Sequence, residues 1–134
     1  MNADRIRPVG QVAAELGISA ETLRYYERHR VLPAPSRDAA GRRVYRDSDV
    51  HLIEVLLHLR DTGMPLATIA EFTRHVARDP DGVPERLALL RQHRAHVLKQ
   101  LEQLSQSLAV IDQKITDYGR RARNSGLADP IDRP

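Results

Sequence analysis

With 134 residues, 4% aromatics and no tryptophan, the chain has room for one compact domain and an appendage but not for a large globular core. Its 29% charged residues suit solvated helices. The formal net charge is only +3, but the positive side is carried almost entirely by Arg, whose planar fork fits phosphate and guanine. The absence of cysteine rules out disulfides, thiolate metal sites and iron–sulfur clusters within the chain.

The first predicted helix covers Val9 to Leu16. Val12, Ala13 and Leu16 recur at helical spacing, and Gly17 is a natural stop because it tolerates a left-handed backbone. Ser19 is placed to cap a second helix, with Glu21 in its first turn at the positive end of the dipole. That helix is expected to reach about Arg30, ahead of Pro33 and Pro35, which cannot continue it. Ser36 to Tyr45 reads as a hairpin, with Asp38-Ala39-Ala40-Gly41 as its turn and Arg43-Val44-Tyr45 as its return strand. Asp47 or Ser48 is expected to cap a third helix, Asp49 to about Thr62, with Val50, Ile53, Leu56 and Leu57 buried and Gly63 ending it. Pro65 starts a fourth, in which Leu66, Ile69, Ala70 and Val76 pack. Asp79-Pro80-Asp81-Gly82 breaks the pattern.

From Pro84 the texture changes. Leu87, Leu90, Arg94, Val97, Leu101, Leu104, Leu108, Ile111, Ile115 and Tyr118 alternate by three and four residues, a heptad seam that is apolar except at Arg94. A helix of this length extends roughly 50 Å. Its own chain holds nothing large enough to cover that seam, so a second copy is the economical partner. Val97, Leu101, Leu104, Leu108, Ile111 and Ile115 are the expected dimerisation residues. Arg94 either fixes the coiled-coil register or snorkels toward the chain's own N-terminal domain where the seam opens; the second reading is favoured. Four segments are expected: an N-terminal domain at 1–78 with a second helical wing at 49–77, a hinge at 79–83, a dimerisation helix at 84–118, and a disordered tail at 119–134.

The opening MNADRIRPVG has no apolar stretch of signal-peptide length, and the most apolar run, Val50 to Leu59, is interrupted by His51, Glu54 and His58. A soluble cytoplasmic protein without a membrane partner is expected. There is no glycine-rich phosphate loop, no cysteine nucleophile and no grouping of His with carboxylates at ligand spacing, so no enzyme and no cofactor are expected. His93 and His96 stand three apart on the long helix, a spacing that permits metal binding. Without a nearby thiol or carboxylate they read as exposed helix residues, and no metal site is assigned. His29 and His51 read as surface or interface residues, His58 and His75 as contacts between helices.

The order short helix, tight turn, Arg- and Tyr-rich helix, basic hairpin is what a DNA major groove requires. Between Thr22 and Tyr45, Arg24, Arg28, Arg30, Arg37, Arg42 and Arg43 are opposed only by Glu27 and Asp38, a local excess suited to a polyanion. Leu23 and Tyr26 are expected to face the first helix, leaving Thr22, Arg24, Tyr25 and Arg28 on the other side. Arg24 is the expected base reader, through guanine O6 and N7. The Tyr hydroxyls suit phosphate oxygens. Arg42, Arg43 and Tyr45 of the hairpin are placed over the backbone or the minor groove.

LRYYE, VLPAPSR, GRRVY, the SDV helix start and LRDTGMPLATI stand in an order and spacing that resembles the MerR family of bacterial transcription regulators. The likeness covers residues 8–76, and the long helix extends it to Tyr118. It implies a mainly α fold, with a winged helix-turn-helix followed by a long C-terminal helix that dimerises as an antiparallel coiled coil. It also implies a homodimer on a pseudo-palindrome of double-stranded promoter DNA. The operator lies in an overlong spacer, which the dimer bends and untwists for RNA polymerase. By position, DNA contacts fall on Thr22, Arg24, Tyr25 and Tyr26, on Arg43 and Tyr45 of the wing, and on Arg60 of the second wing. The sequence departs from the family at Arg42, usually aromatic, at Arg30, usually Gly, and at Pro65, often a capping Ser. Arg30 therefore either holds a strained backbone or the helix ends differently. Metal and redox sensing in the family uses Cys, so a non-thiolate small-molecule effector, or none, is expected. An architectural or excisionase-like DNA bender without promoter control is the alternative, and a coiled-coil adaptor with an incidental basic face a third reading.

Overall fold

A computed structural model describes residues 6–126. It divides into two units, residues up to His93 and residues from Arg94 onward.

The first unit opens with a strand not foreseen in the sequence, β1 (Ile6–Pro8). Helices α1 (Val9–Leu16) and α2 (Ala20–Arg28) follow, then strands β2 (Ser36–Arg37) and β3 (Arg43–Arg46). The antiparallel sheet has the order β1-β3-β2, with Arg7 opposite Tyr45 and Arg37 opposite Arg43. Three residues ending in proline carry no alternation that marks a strand, and β1 exists only because β3 offers it a partner edge. Arg7 secures it, its guanidinium reaching Glu15 of α1 and the Asp47 carboxylate.

Helix α1 ends as expected at Gly17, whose φ of +70° closes the last turn; the Ile18 N–H donates to the Ala13 carbonyl at 3.1 Å. Ser19 caps α2, its Oγ accepting from the Thr22 N–H at 2.9 Å. Helix α2 stops at Arg28, short of the expected Arg30. Arg30 itself adopts φ +59°, so of the two readings the strained backbone is the one adopted. The turn lets Val31 donate to the Tyr26 carbonyl at 2.9 Å and sends Val31 and Leu32 into the core.

At the wing tip Asp38 Oδ1 accepts from the N–H groups of Ala40 and Arg42, both at 2.9 Å, while Gly41 takes φ +81°. The Arg42 N–H, before any other cause, holds the Asp38 carboxyl below its ordinary value.

Helix α3 (Asp47–Asp61) starts two residues before the expected Asp49. Its cap is neither Asp47 nor Ser48: the Asp49 side chain reaches back to the Arg46 N–H at 2.9 Å. Helix α4 (Leu66–Ala77) follows Gly63 and Pro65. Leu66, expected to pack, is exposed; Ile69 is buried as expected, and Phe72 and Thr73 are buried with it. The Thr73 hydroxyl donates to the Val31 carbonyl at 2.6 Å, which satisfies both groups and braces the end of α2 against α4. The core joins Val12, Leu23, Tyr45, Val50, Ile53, Leu56 and Ile69 from helices and sheet alike.

Helix α5 (Val83–Asn124) follows Gly82, where a Cβ would lie 1.9 Å from the His75 carbonyl oxygen. Its first turns belong to the first unit. Leu89 and Leu90 pack against the core, and His93, expected to be exposed, is buried with Nε2 at 2.7 Å from Thr62 Oγ1. The Thr62 hydroxyl donates to the His58 carbonyl at 2.7 Å, so the imidazole supplies the proton of the pair.

In the second unit the helix passes Tyr118, the expected end, and continues through Gly119 to Asn124. Residues 119–124 are thus helical rather than tail; no proline intervenes, and Arg121 and Arg123 suit the negative end of the dipole. The expected tail beyond residue 126 lies outside the described residues. Leu101, Leu104, Leu108, Ile111, Ile115 and Tyr118 are each more than half exposed, and Val97 is partly covered. Among the described residues no helix is long and apolar enough to cross a membrane.

Candidate nucleic-acid interface

Leu23 is fully buried, and that one anchor fixes which side of α2 is presented. Arg24 and Tyr25 are exposed and Thr22 half-buried, its Oγ1 accepting from the Ser19 hydroxyl at 2.8 Å. The Tyr25 ring sits 4.2 Å from that of His29 and 6.0 Å from that of Tyr26, so two aromatic faces and an imidazole line one edge of the helix.

Tyr26 is half-buried, and its hydroxyl meets Arg60 of α3. Arg60 Nη1 donates to that hydroxyl at 3.1 Å, and the guanidinium lies 5.8 Å from the ring centre. The bond to Tyr26, then Asp61, hold Arg60 more firmly protonated than an isolated arginine. Helices α2 and α3 therefore share a contact, and both members keep a surface toward solvent.

The wing is joined to α2 by a residue that sequence reasoning counted only as opposing charge. Glu27, its side chain 4% exposed, accepts from Arg43 Nε at 2.8 Å and from the Tyr45 hydroxyl. Tyr45, expected on the duplex, is 2% exposed and its hydroxyl is committed to Glu27. Its contact with Glu27 ties the wing to the helix. Burial, and then the Glu27 carboxylate, push its phenol pKa well above the ordinary value. No local signal marks Glu27, because its two partners lie 16 and 18 residues away.

Arg43 keeps part of its guanidinium accessible, whereas Arg24, Arg28, Arg30, Arg37 and Arg42 are exposed outright. With exposed Arg46 at the end of β3, seven guanidinium groups thus stand on α2, its C-terminal turn and the hairpin, with Glu27 buried among them. Among the described residues no group of three or more His, Cys, Asp or Glu is placed to hold a metal. His93 is engaged with Thr62 and His96 is exposed.

A capped reading helix, a turn fixed by a left-handed glycine, a three-stranded basic wing and a following helix pair define a winged helix-turn-helix protein of the nucleic-acid-binding class. Residues 7–76 match the family described as MerR HTH family regulatory protein, and residues 50–117 match MerR, DNA binding. The chain belongs to the MerR family of transcriptional regulators. A Haemophilus influenzae protein described as an uncharacterized HTH-type transcriptional regulator is 32% identical over 124 residues, 92% of this chain and 91% of its own. The crystal structure of HiNmlR, a MerR family regulator lacking the sensor domain, bound to promoter DNA, is similar at 31% identity and a TM-score of 0.80. The match covers 92% of this chain and 97% of that one. A MerR family regulator from Bacillus thuringiensis gives 29% identity and a TM-score of 0.76, over 85% of this chain and all of its own. These relatives are described as regulators of transcription.

Proposed function

We propose that the chain works as a homodimer that binds a pseudo-palindrome in a promoter spacer and distorts it to control RNA polymerase. The observation that carries this reading is the row Leu101, Leu104, Leu108, Ile111 and Ile115, exposed on a helix whose first turns belong to a cationic reading unit. An apolar row of that length is stable in water only when covered. Arg24 reads a base edge; Thr22, Tyr25, Tyr26, Arg43 and Arg60 hold the backbone; Tyr45 positions the wing. The likeness to HiNmlR, which is bound to promoter DNA, supports this placement. Bending and untwisting a site costs about 1–10 kcal/mol, a strain that two linked heads are suited to sustain. The protein acts in the cytoplasm, on its promoter, and any effector it reads is held without a cysteine thiolate of this chain.

The test is a genome-wide footprint of the full chain. Protected sites centred between paired promoter elements are expected, with enhanced reactivity at the centre. Many sites unrelated to promoters would replace this reading with an architectural one. The variant carrying both Leu101→Lys and Leu104→Lys is expected to sediment as a monomer and lose the operator. A persistent dimer would remove the seam as the interface.

A further inference from the structure

A recess of about 390 Å³ lies between the end of α2 and the end of α4, within the first unit. Its floor is apolar: Leu32, Pro33 and Ala34 from the segment after α2, Val76 and Ala77 from α4. Three exposed arginines line it as well, Arg28, Arg30 and Arg74. Among the described residues none of the three holds a hydrogen bond or an ion pair. The other polar side chains of the lining are committed elsewhere. Thr73 donates to the Val31 carbonyl at 2.6 Å, and the buried Glu27 carboxylate takes Arg43 and the Tyr45 hydroxyl. The recess therefore offers apolar contact together with positive charge that no lining carboxylate is free to neutralise.

Arg30 holds its place there on a left-handed backbone, φ +59°, a conformation that strains any residue with a Cβ. Being exposed, its side chain adds nothing to the core in return. What it adds is a guanidinium beside the apolar floor. Backbone strain of this kind gathers where a binding site needs a side chain in one particular position.

We propose that the recess binds a small amphipathic carboxylate, an acyl or aryl acid whose apolar body covers the floor while guanidinium groups hold its headgroup. The volume falls in the range of small-molecule sites, which are apolar with a few placed polar groups. Guanidinium matches a carboxylate through two parallel hydrogen bonds. A DNA phosphate would meet the charge but bring no apolar group to the floor, so the acid is the better occupant. Its regulatory meaning rests on the transcription-control reading above, whereas binding itself needs neither the dimer nor the promoter.

The probe is octanoate, titrated into the isotope-labelled full chain and followed by two-dimensional amide NMR. Octylammonium, of equal length and opposite charge, is the control. The amides of Leu32, Ala34, Val76 and Ala77 are expected to shift saturably with octanoate and to stay in place with octylammonium. Arg74→Gln, at an exposed helix position, and Arg30→Gly, whose backbone relaxes, are each expected to weaken octanoate roughly tenfold without lowering the thermal midpoint. No saturable shift at these amides, equal shifts with octylammonium, or full affinity in both variants overturns the site. Absent shifts together with weaker operator binding by both variants would reassign the arginines to DNA phosphate. A wild-type chain that sediments as a monomer overturns the homodimer and leaves this site standing.

Discussion

Glu27 of the reading helix accepts from Arg43 Nε of the wing at 2.8 Å, and the same carboxylate takes the Tyr45 hydroxyl. Helix and hairpin are thus held by one buried anion rather than by the short loop between them. Removing it strands a partly buried guanidinium and a buried phenol at once. Glu27→Ala is expected to cost about 2–3 kcal/mol of stability, read as a fall in the urea midpoint. An unchanged midpoint would show that the wing is oriented by other contacts.

The same contact gives a pH dependence of known sign. Burial and the Glu27 carboxylate raise the Tyr45 pKa above its ordinary value, so the folded chain keeps a proton that the unfolded chain releases near pH 10. Below about pH 10 both states hold it and the contribution to stability is intact; above that, stability falls with pH as the unfolded state alone ionises. Urea midpoints between pH 9 and 11 should therefore decline more steeply for the wild type than for Tyr45→Phe. Parallel declines would mean that the phenol is not protected by folding.

Arg24 is exposed on the presented side of α2, opposite the buried Leu23. Arg24→Ala is expected to lower operator affinity by about 1–3 kcal/mol and to relax preference at one base pair of each half-site. Binding titrations on single-base operator variants read both effects. A uniform loss on every sequence would reassign Arg24 to phosphate.

Arg30 holds a left-handed backbone at φ +59°, where a side chain crowds its own carbonyl. Arg30→Gly is expected to raise stability by about 0.5–1 kcal/mol, the relieved strain outweighing the added freedom of the unfolded chain. A lower thermal midpoint would show that the arginine side chain contributes more than its backbone costs.

Local chemistry made much of this fold legible. Gly17 and Ser19 mark the turn between α1 and α2 because cap and stop act within four residues, and the seam of α5 shows in its spacing. What stayed hidden depends on distant neighbours. β1 is a strand only beside β3, and Asp49 rather than Ser48 caps α3 because its side chain is the one that turns back. His93 is buried because Thr62 lies beneath it, and Tyr45 because Glu27 receives its hydroxyl. For the interface, exposed Arg24 and Tyr25 followed from the burial of Leu23. The anchoring role of Glu27 did not, since a carboxylate among arginines looks in sequence like simple opposition.

Arg60 spends one of its guanidinium N–H groups on Tyr26. On the proposed interface, a phosphate reaching Arg60 must share that arginine with the tyrosine or take it away, and the tyrosine sits two residues from Arg24. Grip on the sugar–phosphate strand and discrimination among bases are then not independent quantities. Losing Arg60 should blur sequence preference as well as weaken attachment, and Arg24 and Arg60 removed together should cost a different amount from the sum of their separate losses.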